Sequence, residues 1–109
     1  MTPSDGDLVR TAWRGDRAAF EELARRHRET AQRMAERLLG DRELAEDLTQ
    51  EMLLRAYLRL GELRDPDRFG AWLLAIGRSV CANWRNTQAI RRACRGPRPR
   101  AAAPGVPAG

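Results

Sequence analysis

Two stop-and-start signals constrain this chain more than any other feature. At Gly15-Asp16 and again at Gly40-Asp41, a residue suited to closing a helix is followed at once by a carboxylate that can accept from the orphan N–H groups opening the next. A third break, Gly61 to Asp65, ends in Asp65-Pro66, where the Asp can cap and the Pro ring fits a first helical turn. Ser4, with Asp7 three residues later, has capping-box spacing at the start of the chain. No segment alternates apolar and polar residues as a half-buried strand does. The expected class is all-α, a compact four-helix domain over residues 1–95, and with 109 residues there is room for one core only.

The apolar residues follow that division. A short helix over 5–14 places Leu8, Val9, Ala12 and Trp13 on one face. A second, from Asp16 to about Leu39, repeats Phe20, Leu23, His27, Met34 and Leu38 at near-helical spacing. A third, over 42–60, gathers Ala45, Leu48, Met52, Ala56 and Leu60 into one sector. The fourth starts at Asp65-Pro66 and reaches Arg92, turning Phe69, Trp72, Leu73, Ile76 and Val80 inward. From Gly96 the chain reads GPRPRAAAPGVPAG, without periodicity, so residues 96–109 are expected to form a flexible linker or tail.

Composition matters chiefly through where the charge lies. The net charge is +5, yet all fifteen carboxylates stand at or before Asp67. Residues 1–67 carry twelve Arg against fifteen acids, and the remainder carries eight Arg and no acid, so a part at −3 precedes a part at +8. Such asymmetry suits two partners, the basic part matching a polyanion. There is no Gly-rich phosphate loop and no second histidine to pair with His27, so enzymatic activity has little support. Cys81 and Cys94, beside one histidine, are too few ligands for a structural zinc site. No cofactor, metal or small-molecule substrate is expected. With neither an export signal nor an apolar run of membrane length, a cytoplasmic location without membrane contact is expected.

Two helix faces exceed what a plain bundle needs. On the third helix Asp47, Gln50, Glu51, Leu54 and Leu58 fall away from the core stripe, mixing acids with leucines as a helix-docking surface does. An ordinary acidic surface, in a bundle that buries more than one face, has the same pattern. On the fourth helix Arg78, Arg85 and Arg92 recur every seven residues, and guanidiniums so spaced can follow a phosphate backbone. Trp84, Asn83 and Asn86 stand near them in sequence and can stack on bases or hydrogen-bond to them. A solvated Arg-rich helix is the alternative.

The segments DLTQEMLLRAYLRL (47–60) and RDPDRFGAWLLAIGRSV (64–80) resemble region 2 of extracytoplasmic-function sigma factors. GDRAAFEELARRH (15–27) and LLGDRELAEDLTQE (38–51) extend the resemblance, which covers residues 5–92. It implies that Asp47, Gln50 and Glu51, with Leu54 and Leu58 on the same face, dock on the clamp helices of the largest subunit of core RNA polymerase. It implies that the loop from Gly61 to Arg68, including Arg64 and Asp65, captures an unstacked base of the promoter −10 element on the non-template strand. The last helix, with Arg78, Ser79, Asn83, Arg85 and Arg92, then contacts DNA. An anti-sigma factor is an expected partner.

The sequence departs from the family pattern at Ser79, where Asn is frequent, and at Asn83, where Asp is frequent. The melting tryptophans of housekeeping sigma factors align with Ala75 and Ile76. By this resemblance the 109 residues are expected to end inside the linker that leads to the family's region 4. Two other functions fit the residues: a stand-alone sigma-like module that occupies the polymerase or an anti-sigma factor without starting transcription, and a DNA-binding bundle indifferent to sequence.

Overall fold

The computed structural model describes residues 2–94. Its elements, in order, are α1 (Asp5–Trp13), α2 (Arg17–Leu39), α3 (Arg42–Leu58), two single 3₁₀ turns (Leu60–Glu62 and Pro66–Arg68) and α4 (Phe69–Cys94). The described residues contain no strand. The tail read from residue 96 lies outside them.

Each helix starts where local chemistry satisfies its orphan donors. Ser4 Oγ accepts from the Asp7 N–H at 3.1 Å and the Asp7 carboxylate accepts from the Ser4 N–H at 3.4 Å, completing the capping box. Asp16 accepts from Ala18 N–H, and Asp41 from Leu44 N–H, each at 3.0 Å. Gly40 ends α2 with φ of 68°, a left-handed backbone that a Cβ would strain.

The third helix ends two residues earlier than its periodicity predicts. Beyond Arg59 the Glu62 and Leu63 N–H groups bond to Arg59 and Leu60 carbonyls, tightening the chain into a 3₁₀ turn that buries both Leu60 and Leu63. Similarly, Asp65 accepts from Asp67 N–H at 3.0 Å and Pro66 opens a 3₁₀ turn, so regular α-helix begins only at Phe69.

In the packed domain α2 is the central helix, touching α1, α3 and α4. Phe69 is the largest fully buried side chain; it meets Phe20 edge-on at 6.0 Å and lies 5.4 Å from the His27 ring. The predicted stripes are buried except at their margins: Ala12, His27, Leu38, Leu48 and Trp72 are half-buried, and Trp13, expected on the inner face of α1, is exposed at 42%. Thr49 is the one polar residue in the core of the described residues, and its hydroxyl donates to the Ala45 carbonyl at 2.7 Å.

Two glycines let α4 lie close to the bundle. A Cβ at Gly77 would stand 2.7 Å from Met34 Cε and 2.8 Å from Met52 Sδ. A Cβ at Gly70 would stand 2.9 Å from His27 Cε1. These approaches set the angle at which α4 crosses α2 and α3, and therefore where its basic side chains point.

Candidate functional site

The outer face of α3 is built on a rigid base. Ala45, Thr49, Met52, Leu53 and Ala56 are buried beneath it, which fixes the rotation of the helix. Asp47, Gln50, Leu54 and Leu58 consequently face solvent, Leu54 at 53% and Leu58 at 71% exposure. Two isolated leucines so exposed would be unremarkable singly, but here they share one face with Tyr57 at their side, 43% exposed. Tyr57 did not figure in the sequence reading. Its ring packs edge-on against Phe20 at 5.1 Å, which holds it at the surface.

Glu51 differs from the rest of the acidic set. It is half-buried and accepts from Arg55 Nε at 2.8 Å, so its charge is locally balanced. Gln50 accepts a long 3.4 Å hydrogen bond from Arg28 of α2. Between the two helices runs a shallow groove of about 250 Å³, lined among others by Arg17, Phe20, Arg28, Leu53, Leu54 and Tyr57. The α3 face therefore continues onto α2, which the helical wheel of α3 alone does not reveal.

The loop from Gly61 to Arg68 is anchored by Leu63 and by Leu60 just before it, and exposes its charges. Arg64, Asp65 and Arg68 are all exposed, whereas Leu63 is buried. Asp65 is already occupied: one oxygen caps the Pro66–Arg68 turn, and the other lies 4.0 Å from Arg68 Nε. Arg64 is exposed in the segment between the two turns.

On α4 the candidate residues are exposed but not on one flank. Arg78, Arg85 and Arg92 follow a single line with Ala71 and Ala89 beside it. At about 100° per residue, Ser79 and Asn83 lie roughly 100–160° around the helix from the neighbouring arginines. The arginine line also runs nearer to α2 than its sequence position opposite the core stripe implies. Arg78 shares a recess with Arg37 and Leu38, and Arg85 and Arg92 line a cleft of about 510 Å³ with Trp84, Asn86 and the leucines Leu38 and Leu39. Trp84 is half-buried there and turned toward the end of α2 rather than fully outward. Asn86, offset from Arg85 as Ser79 is from Arg78, lines that cleft, while Asn83 does not.

From Arg85 to Ala93 every residue except Gln88 is exposed, so the last turns of α4 leave the bundle behind. No carboxylate follows Asp67 to neutralise them. They form a basic edge at the far end of α4, distinct from the α3 face and from the loop, which precedes the start of that helix and carries Glu62, Asp65 and Asp67 against Arg64 and Arg68. Among the described residues no cluster of three or more His, Cys, Asp or Glu could hold a metal ion, and no helix is long and apolar enough to cross a membrane.

Comparison with known proteins gives this geometry a context. The sigma-70 region 2 family matches residues 23–93. Over 78 residues the chain is 38% identical to the ECF RNA polymerase sigma factor BldN of Streptomyces coelicolor, covering 71% of this chain and 30% of the relative. It is 32% identical over 79 residues to the RNA polymerase sigma-H factor of Pseudomonas aeruginosa, covering 72% and 41%. It is 33% identical over 78 residues to the ECF RNA polymerase sigma factor SigM of Mycobacterium tuberculosis, covering 72% and 40%. The matched part therefore spans well under half the length of these curated relatives. No solved structure matches the chain.

Proposed function

Because the chain belongs to the sigma-70 region 2 family, in its extracytoplasmic-function branch, we propose that it serves transcription initiation by joining core RNA polymerase to the promoter −10 element. In this reading the α3 face, with Asp47, Gln50, Glu51, Leu54 and Leu58, docks on the clamp helices of the largest subunit. The loop from Gly61 to Arg68 receives an unstacked base, and Arg78, Arg85 and Arg92, which recede from the loop along α4, hold phosphates farther along the strand. Ser79 and Asn83, on the other flank of α4, face a different part of the melted strand. Any catalysis belongs to the polymerase.

The observation that carries the proposal is the pair of exposed leucines at 53% and 71% among carboxylates, on a helix rigidly backed by the core. A solvated surface gains nothing from them, while a docked helix buries their area and uses the polar neighbours to set register. The basic edge supports the second half of the reading, because unpaired guanidiniums add affinity for a strand without reading its sequence. An anti-sigma factor fits the same leucines as a competitor of the polymerase.

The test is co-purification of the chain with core polymerase, followed by run-off transcription from a promoter carrying a matched −10 element. Asp47→Arg is expected to lower polymerase affinity by about thirtyfold or more while leaving the helical circular dichroism unchanged. Wild-type affinity in that variant would sink the docking assignment. Polymerase binding without run-off product would favour an interaction module that occupies the enzyme silently.

A further inference from the structure

The loop between α3 and α4 is held at both ends by the same short helix. At its start, Trp13 Nε1 donates to the Leu60 carbonyl at 2.9 Å, a bond between residues 47 positions apart. At its end, Gly6 lies so close to Asp67 that a Cβ on Gly6 would overlap the Asp67 carboxylate. Gly6 and Trp13 are seven residues apart, about 10.5 Å along α1, which matches one helix edge to the mouth of the loop.

The helix that makes these contacts is itself fixed. Leu8 and Val9 are buried in the core. Asp5 is gripped from α2 by two groups, accepting from Arg26 Nη1 at 3.0 Å and from His27 Nε2 at 2.7 Å. With one end pinned to α2 and the middle in the core, α1 is a rigid reference against which the loop is set. Trp13 is 42% exposed, so its indole contributes less to core packing than its size suggests, and its N–H is spent on a single backbone carbonyl.

We infer that α1 is a strap that sets the conformation of the base-reading loop, with Trp13 and Gly6 as its positioning residues. The inference rests on the reading of that loop as the base-capturing segment. Neither residue touches the strand; each acts through Leu60 or Asp67, the two points between which Arg64 and Asp65 are displayed. A loop held at one end would keep its leucine anchors but let the intervening charges drift, and base discrimination depends on placement more than on charge.

Two variants separate positioning from bulk stability. Trp13→Phe keeps an aromatic ring and removes the donor. Gly6→Ala improves the helix propensity of α1 while displacing Asp67, so it should hold or raise the melting temperature. Both are measured in the full chain bound to core polymerase, against labelled single-stranded −10-like oligonucleotides varied one base at a time. Each variant is expected to lose about fivefold in discrimination at one position, the size of one hydrogen bond's net contribution, with an unchanged salt slope. Amide exchange over residues 61–68 is expected to quicken while α2 and α3 keep their protection.

Arg64→Ala serves as the control for the loop itself. If it relaxes discrimination while Trp13→Phe and Gly6→Ala do not, the strap is overturned and the loop reading stands. If none of the three changes discrimination, the loop reading is overturned, and the inference with it. Unchanged exchange over residues 61–68 in Trp13→Phe also overturns the strap.

Discussion

The outer face of α3 and the last turns of α4 are both exposed, yet they are built on opposite plans. Behind Leu54 and Leu58 lie Met52, Leu53 and Ala56, all buried, so the face is a preformed platform whose backbone and rotation are fixed. Beyond Trp84, α4 has only the open cleft shared with Leu38 and Leu39 behind it, and its guanidiniums are exposed. The first plan suits shape and register, where apolar complementarity decides the partner. The second suits a flexible polyanion, where charge attracts and the partner adapts. One small domain carries both because its carboxylates and its unpaired arginines are segregated along the chain.

The variant expected to act most strongly removes the distinction altogether. Gly77→Leu places a branched side chain against Met34 and Met52, where α4 crosses the bundle. Overpacking of this kind typically costs about 1–3 kcal/mol, which for a domain of this size lowers the melting temperature by roughly 5–20 °C. Both polymerase and DNA binding should then weaken together, because the same crossing backs α3 and aims α4. Gly77→Ala should be mild, since the ends of both methionines can swing aside. A calorimetric scan of the two variants checks the difference.

Smaller effects separate the two surfaces again. Replacing Arg78, Arg85 or Arg92 with Ala should each flatten the log-log salt dependence of single-strand binding by about 0.7, leaving base preference nearly unchanged. A titration at several salt concentrations measures this. If the arginine variants shift base preference instead, the loop and the helix have exchanged roles.

The smallest expected effect concerns acid. Burial pulls the Asp5 carboxyl upward, but hydrogen bonds from His27 and Arg26 together with their charges outweigh it, and its pKa lies below the ordinary carboxylate value. A depressed pKa stabilises the folded state above the unfolded value, and that contribution fades as pH falls through the folded one. The docking of α1 should therefore be fully supported at neutral pH and weaken below about pH 4. Amide exchange along α1 should rise there while α2 and α3 remain protected, and Asp5→Asn should show the loosened state already at neutral pH.

What could be read from the chain, and what could not, divides along physical lines. Three helix starts were legible because capping is local: Ser4, Asp16 and Asp41 each bond within three residues of themselves, whereas Asp65 caps a 3₁₀ turn and α4 begins only at Phe69. The α3 face was legible because its inward stripe leaves a sector over. The end of α3 was not, because burying both Leu60 and Leu63 requires a turn that periodicity does not announce. Nor was the placement of Trp84 and the arginine line. Both follow from the crossing of α4 on Gly70 and Gly77, and a glycine in a helical pattern signals close approach only once a neighbour is known. The Trp13 to Leu60 bond joins distant positions through a side chain that reads as one more apolar residue.

The central claim is that the two surfaces act independently, one on polymerase and the other on DNA. It is tested most directly by measuring both affinities in two variants, Leu54→Ala/Leu58→Ala and Arg78→Ala/Arg85→Ala/Arg92→Ala. The leucine variant is expected to lose polymerase affinity about thirtyfold or more and to keep single-strand DNA affinity, and the arginine variant to show the converse pattern. Equal losses in both affinities from either variant, with the fold intact, would contradict the claim.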